Sequence, residues 1–466
     1  MTVTKLVAGD GTGDYNCDGS DDQEGINKAL SWAASNPGNR VHLVGPYEFQ
    51  IEDQVQVGSD TILSGDASAV LKVPKMACGT SVKDCVFPDG KGVISSIPGT
   101  IAKRVEFTGF AIDGNCQNQA LKLGYAHGKL SSAGSGVERL IELRGEVNGR
   151  KVSDIKIHNM VFRDAFGEAA HIKFAENVWI YDNDARNHQH DAFFCIEVSG
   201  NNKLKNNRVE GITDSCARLD NCTKWEVSEN EFLSYVGNHN NTAMKMAHNG
   251  LQIANEANKP TLTNNIEIFN NKFKGPNLCG IWVNDQRKKA GLTPQTVRIH
   301  NNTFTDEIAW SDWSVWSVGI NVGPWGNGVT IDHNTFDGCY DNSIQFNNAI
   351  VGGCTANVYH NNIINTKGTR TRSAGGPPVV GYGIANLVSD KMTVIAEDNY
   401  MSGNKIGNYY KVTPKSVATA LLPDATIIDD DADPGVNYNV VVKCLESEAE
   451  GFTNKLTQSY NVYKKV

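Results

Sequence analysis

The sequence predicts an all-β fold: a right-handed parallel β-helix (solenoid) with an N-terminal amphipathic capping helix and a C-terminal cap or tail. Three observations lead there: an asparagine-centred phrase that recurs along the 466 residues, short apolar strands of period two around it, and one well-marked helix near the N-terminus. From residue 150 onward the phrase reads "LKNNRVEG", "VSENEFLS", "IFNNKFKG", "IHNNTFTD", "IDHNTFDG" and "VYHNNIIN". Its asparagines are Asn183, Asn207, Asn230, Asn271, Asn302, Asn334, Asn361 and Asn399, the first three spaced by 24 and 23 residues. Strands this short cannot each bury an apolar face alone, but coils stacked on one another can.

The elements follow in chain order. "SDDQEGINKALSWAASNPG" offers Ser20 or Asp21 as N-cap, with Gln23 or Glu24 at capping-box spacing. Ile26, Ala29, Leu30 and Ala33 then share a helix face, and "NPG" ends the helix. Such a helix covers the open end of a solenoid, so residues 1–60 are expected as the cap, 61–410 as the catalytic β-helix and 411–466 as a C-terminal cap or tail. In the coils the turn asparagine is expected in the left-handed backbone region, its amide bonded to the asparagines above and below. The residue two further on points inward, which gives an apolar ladder of Val209, Phe232, Phe273, Phe304 and Phe336.

Composition narrows the function. A net charge of −9 with a pI near 5.7 argues against a nucleic-acid partner. No stretch approaches the ~18 apolar residues of a membrane span, and the N-terminus lacks the apolar core of a signal peptide, as in a mature chain. Eleven cysteines are an odd and dilute set, expected mostly in the core, although Cys78 with Cys85 and Cys216 with Cys222 could close local loops. Their spacings are not those of zinc sites, and no metal ligand is expected. No cofactor is required, although Asp14, Asn16, Asp18 and Gly19 mimic the start of a calcium loop whose twelfth position is Gly25 instead of an acid.

Counting back from the turn asparagines aligns the strands. Ala170–His171–Ile172–Lys173, Phe194–Cys195–Ile196–Glu197 and Ala217–Arg218–Leu219–Asp220 each lie 13 to 10 residues before Asn183, Asn207 and Asn230. Alternation then sends His171, Cys195 and Arg218 outward in one column and Lys173, Glu197 and Asp220 in the next. Asp191 and Asp214 both lie 16 residues before their asparagines, and His248 follows when "GLQIAN" is aligned by its strand. Two carboxylates on neighbouring coils should raise one pKa, which is the machinery of glycoside cleavage. Asp191, Asp214 and His248 are therefore the candidate catalytic residues. His171, Lys173, His190, Glu197, Arg218 and Asp220 are candidate substrate ligands, with Gln252, Trp282 and Asn284 continuing the outward columns. The alternative for the acidic and basic residues is a row of strand caps and solvated charges. Trp310, Trp313, Trp316 and Trp325 suggest a binding rim, and Arg287, Lys288 and Lys289 a local cation patch.

The opening "VAGDGTGDYNCDGSDDQEGINKALSWAASNPGNRVHLVGPYEFQI", followed by "TILSGDASAVLKV", resembles the disaggregatase-type β-helix proteins of methanogenic archaea. That resemblance implies an enzyme, secreted or at the cell surface, that degrades the chondroitin-like wall polysaccharide holding cells in clumps. "TDSCARL" and "AHNGLQI" are similar to segments of the polygalacturonase group of hydrolases, with Asp191 in the place of that group's first aspartate. Ser215, Asn249 and a missing Arg-Ile-Lys segment depart from the pattern. The expected function is endo-acting hydrolysis of an acidic or amino-sugar polysaccharide. A lyase using His248, Lys173 or His171 as base, a glycan-binding adhesin without catalysis, and a C5-epimerase are the alternatives.

Overall fold

The computed structural model describes residues 2–77, 85–87, 91–119, 138–146, 149–212, 214–233, 249–255, 263–275, 279–285, 296–305, 318–323, 328–339, 341–347, 354–367, 381–387, 392–405, 407–411 and 441–442. The chain forms two compact units, Met1–Ala247 and His248–Val466, each built of stacked parallel coils. In the first unit, Thr4–Ala8 pairs with Arg40–Leu43, which pairs with Ile62–Gly65 and so on to Lys103–Thr108, Val152–His158 and Ala170–Tyr181. A second strip of short strands climbs beside it, from Tyr47–Gln50 through Val161–Arg163 to Glu231–Leu233. Alternation sets the faces: in Lys103–Thr108, Val105 and Phe107 are buried while Arg104 is exposed.

The second unit repeats the plan. Asn249–Asn255, Cys279–Asp285, Val318–Val322, Ile344–Phe346 and Tyr382–Asn386 stack in order. Lys272–Lys274, Thr303–Thr305 and Thr335–Asp337 stack beside them and carry Phe273, Phe304 and Phe336 as a column of nearly parallel rings 4.8 and 4.6 Å apart. Gly250, Gly280 and Gly319 make room for these rings, since a Cβ at each would lie 2.4, 2.6 and 2.7 Å from a Phe Cδ1. Val441–Val442 adds one pairing, to Ile395–Ala396, while nearly all of the expected tail 411–466 lies outside the described residues.

The helix runs Gln23–Ala34 and buries Ile26, Ala29, Leu30 and Ala33 as expected, but its N-cap is Asp22. No side-chain cap forms, because the Asp22 carboxylate accepts hydrogen bonds from the backbone N–H groups of Asp18, Gly19 and Gln50 instead. Neighbouring acids are likewise taken up locally: Asp14 pairs with Lys5 at 2.7 Å and Asp18 accepts from Ser20 N–H. Cys216 and Cys222 are free and buried, so the second expected loop is not closed, whereas Cys85 is disulfide-bonded.

The asparagine ladder differs from expectation in one respect. The left-handed residue is the one before each ladder asparagine: Asp182, Asn206 and Glu229 in the first unit, Asn270, Asn301, His333, His360 and Asp398 in the second. The ladder asparagine itself is buried and uses its whole amide. Asn302 Oδ1 accepts from the backbone N–H and the Nδ2 of Asn271, and its Nδ2 donates to Ile268 O, His300 O and Asn334 Oδ1. Asn302→Ala leaves these groups without partners, and we expect a loss of about 3 kcal/mol in urea unfolding, since each orphaned buried group costs about 1–3 kcal/mol. The exposed neighbour substitution Asn301→Gly, which suits a left-handed φ, should change stability by less than about 1 kcal/mol.

Candidate functional site

The first unit brings the charged residues of four coils together. Arg139–Arg144, Ala170–Tyr181, Phe193–Ser199 and Ser215–Asp220 stack in that order. Their register gives two columns: Glu142, His171, Phe194, Arg218, and beside it Arg144, Lys173, Ile196, Asp220. His171, Arg218, Lys173 and Asp220 therefore stand where the sequence placed them relative to one another, but the middle coil is displaced by one residue. Phe194, not Cys195, takes the outward place, and Ile196, not Glu197, the next. The cause is an additional residue at the corner Ser199–Gly200–Asn201, where Gly200 has φ +92°: the coil pairs at an offset of 23 residues before that corner and 24 after it. Counting back from Asn207 crosses this corner and misplaces the strand. Cys195 turns inward between Ile172 and Leu219, and Glu197 sits at a left-handed kink with φ 52°.

The same correction moves the aspartates. Continued two and three residues from the Phe193–Ala217 pair, the register sets Asp191 level with Ser215 and His190 level with Asp214. The carboxylates thus meet across His190 and not face to face: His190 Nδ1 lies 3.4 Å from Asp191 Oδ2, and His190 Nε2 lies 3.8 Å from Asp214 Oδ2. Asp191 is wholly buried, while the Asp214 side chain keeps 15% of its surface. Ser215 N–H donates to Asp191 Oδ1 at 2.9 Å.

Three residues of this cluster escaped the sequence reading. Glu168 in "FGEAAHI" lies one coil below Asp191, with its Oε1 3.0 Å from His190 Nδ1. Arg139 donates from Nε to Glu168 Oε2 at 2.9 Å and from NH1 to both oxygens of Glu142 at 3.0 Å. All three are nearly or fully buried. Carrying the aspartate column one coil toward the N-terminus in correct register would have found Glu168.

The electrostatics follow from burial and partners. Burial raises the Asp191 carboxyl, and the nearby Asp214 raises it further. Burial alone would lower His190, but Asp191 and Glu168 outweigh it and hold the ring at about 9. Burial holds His171 well below its ordinary value, so it is neutral and stacks flat on Phe194 at 4.9 Å. Burial also opposes the charge on Glu168, yet its cationic neighbours keep it below the usual range. With His171 neutral, that work falls to His190 and Arg139. Arg218 lies 4.6 Å over the other neighbour of the stack, the Phe194 ring, and pairs with Asp220 at 2.6 Å. Burial, then Arg139, lowers Lys173. His188 faces the backbone, with Nδ1 3.3 Å from Gly167 O.

The remaining candidates belong to the second unit. Gln252, Trp282, Asn321 and Gln345 form the expected column, and Asn284 lies in the neighbouring one. Only Trp282 of the four is more than slightly exposed, and the missing side chain of Gly323 leaves room for its Nε1, 3.3 Å from where a Cβ would stand. His248, the four clustered tryptophans and Arg287–Lys289 lie outside the described residues.

Coils of this form define a class, and comparison with known families gives the same class. Residues 140–293 match the family described as right handed beta helix region, in agreement with the stacked parallel coils of the fold. Residues 263–453 match the family described as Disaggregatase related, and the chain carries that region. No curated protein matches the sequence significantly. The fold is shared with the A-module of a mannuronan C-5 epimerase from Azotobacter vinelandii, at 16% identity over 86% of this chain and 95% of that one, TM-score 0.52. It is shared also with the catalytic unit of an α-1,3-glucanase from Streptomyces thermodiastaticus, at 13% identity over 85% and 63% of the two chains, TM-score 0.53. A DFA-IIIase from Arthrobacter chlorophenolicus is similar at 13% identity over 84% and 94%, TM-score 0.51. Among the described residues no helix is long and apolar enough to cross a membrane.

Arg139 is the counter-charge on which this buried cluster depends. Arg139→Met removes the guanidinium from both Glu142 and Glu168, leaving Glu168 with His190 alone, and we expect a loss of about 3–5 kcal/mol in chemical unfolding, the cost of a buried charge left without its partner.

Proposed function

We propose that the chain is a polysaccharide-cleaving enzyme: an endo-acting glycoside hydrolase acting on a uronate-containing, chondroitin-like polymer outside the cell, and so dispersing cell aggregates. The observation that supports this best is the arrangement at Asp214, the partly exposed carboxylate of the cluster, with His190 and the buried Asp191 directly behind it. Glycoside hydrolysis needs carboxyl groups that can give a proton to the leaving oxygen and activate water. Asp214 is the group that meets the bond. Asp191 does not reach a polymer from its buried position, and it acts by holding the charge of His190, which stands behind Asp214. Arg218, whose side chain is 19% exposed, on Asp214's own coil, and Lys173, two coils before it, are cations for a sugar carboxylate on a protein that is acidic as a whole. The Disaggregatase-related region supports the dispersal of aggregates. A mannuronan epimerase and an α-1,3-glucanase built on this fold support a polysaccharide as the substrate.

A second reading, β-elimination, has one observation in its favour. Lys173 is lowered by burial and by Arg139 and Arg144, against the opposing pull of Glu142 and Glu168, which brings a neutral amine within reach as a base.

Asp214→Asn should lower cleavage about 10³-fold, within the range of general acid–base catalysis, while leaving thermal unfolding unchanged. The check is incubation with a chondroitin-like uronate polymer, following reducing ends and the ultraviolet absorbance of unsaturated uronate together. Reducing ends without absorbance fit hydrolysis. Both rising together, with a rate that climbs with pH as Lys173 loses its proton, would replace it with elimination. Retention of the polymer with neither product would leave a binding module.

A further inference from the structure

We infer that Glu168, His190 and Asp191 form a binding site for a small divalent transition ion of the Zn²⁺ type. Glu168 Oε1, His190 Nδ1 and Asp191 Oδ2 lie within 4.8 Å of one another. Each of these three atoms is buried, and they meet as an ion pair of His190 with the two acids without a well-aligned hydrogen bond. Three buried polar atoms converging on one point without an aligned hydrogen bond is an expensive arrangement, because burial strips each of its water. A protonated His190 pairs with both acids in charge, but its Nδ1–H can point at only one oxygen at a time. One cation satisfies all three atoms together.

The donor set selects the ion, and the spacing fits it. His190 Nδ1 is 3.0 Å from Glu168 Oε1 and 3.4 Å from Asp191 Oδ2. Ligands at about 2.0–2.2 Å in a tetrahedral shell stand roughly 3.3 Å from one another. Calcium takes six to eight oxygens at about 2.3–2.6 Å and disfavours nitrogen, whereas this cluster offers three atoms, one of them an imidazole nitrogen.

The surroundings are those of a built site. The second oxygen of each carboxylate is already engaged, Glu168 Oε2 by Arg139 and Asp191 Oδ1 by Ser215 N–H, which fixes the first oxygen toward His190. The other ring nitrogen, Nε2, faces Asp214 Oδ2 at 3.8 Å, the partner that a metal-bound histidine commonly has. Two carboxylates balance a divalent charge. Arg139 opposes the ion, but its guanidinium is turned to Glu168 Oε2 and Glu142. The inference is independent of which bond the enzyme cleaves, and its readout is ion binding.

The test uses the full chain, stripped with a chelator and then dialysed against ZnCl₂ alone. Bound metal is measured after desalting, and the visible spectrum is recorded with Co²⁺ in place of zinc. We expect roughly one retained ion per chain and a Co²⁺ spectrum of a four-coordinate nitrogen–oxygen site. Asp191→Asn and His190→Gln should each weaken retention well over 100-fold, and Asp214→Asn only about 10–100-fold. Circular dichroism reports whether each variant is folded. Should both ligand variants unfold, the wild-type stoichiometry and Co²⁺ spectrum decide alone. A wild-type chain that retains no ion overturns the site. So does an ion kept equally by folded Asp191→Asn and His190→Gln, which would place it elsewhere, for instance among the acids around Asp18.

Discussion

From Asn183 onward the described coils close on buried asparagines whose amides bond from one coil to the next. The Oδ1 of Asn207 accepts from Asn183 N–H and Nδ2, and its own Nδ2 donates to Ile180 O on the coil before and to Asn230 Oδ1 on the coil after. A chain of short strands has little to hold its register, since a slip by one residue turns every side chain to the other face. The ladder supplies that register once per coil at a fixed point. Apolar stacking such as Phe273–Phe304–Phe336 then follows, because strands in register set like residues over like.

The same register makes the charged cluster possible. Arg139, Glu168 and His190 with Asp191 come from successive coils, so groups distant in sequence are brought to hydrogen-bonding range by stacking alone. Burial there works against every charge. It is tolerated because acids and bases alternate: Arg139 answers Glu168 and Glu142, His190 answers Glu168 and Asp191, and Arg218 answers Asp220. The stack of His171, Phe194 and Arg218 supports the wall beside this cluster, with a neutral imidazole on one side of the ring and a guanidinium on the other. Asp214 is the point at which the network reaches the surface, and substrate chemistry is assigned there for that reason.

Coils carry architecture in their repeated positions and chemistry in their departures from the repeat. Glu168, His190 and Asp191 occupy the approach to strands that are otherwise apolar, where an ordinary β-helix coil has only a turn to make. The buried acids and the partly exposed Asp214 share one histidine ring, the first two at Nδ1 and Asp214 at Nε2. The ring is therefore the link between the buried charges and the accessible one.

By itself the sequence determined the class of fold, the ladder asparagines, the apolar face of the N-terminal helix and the pairing of His171 with Arg218 and of Lys173 with Asp220 across two coils. These are legible because they repeat, and a repeat reports its own spacing. It also marked Asp191 and Asp214 as residues of one site. What it could not resolve was the coil between, where one extra residue at Gly200 shifts Phe194 and Ile196 into the outward places and sets Asp214 opposite His190. A count along the chain cannot tell on which side of a corner an added residue falls. Glu168 and Arg139 were invisible for a related reason: their coil is joined to its neighbours by hydrogen bonds between distant segments, and only the stacked structure decided which acid would stand over which base.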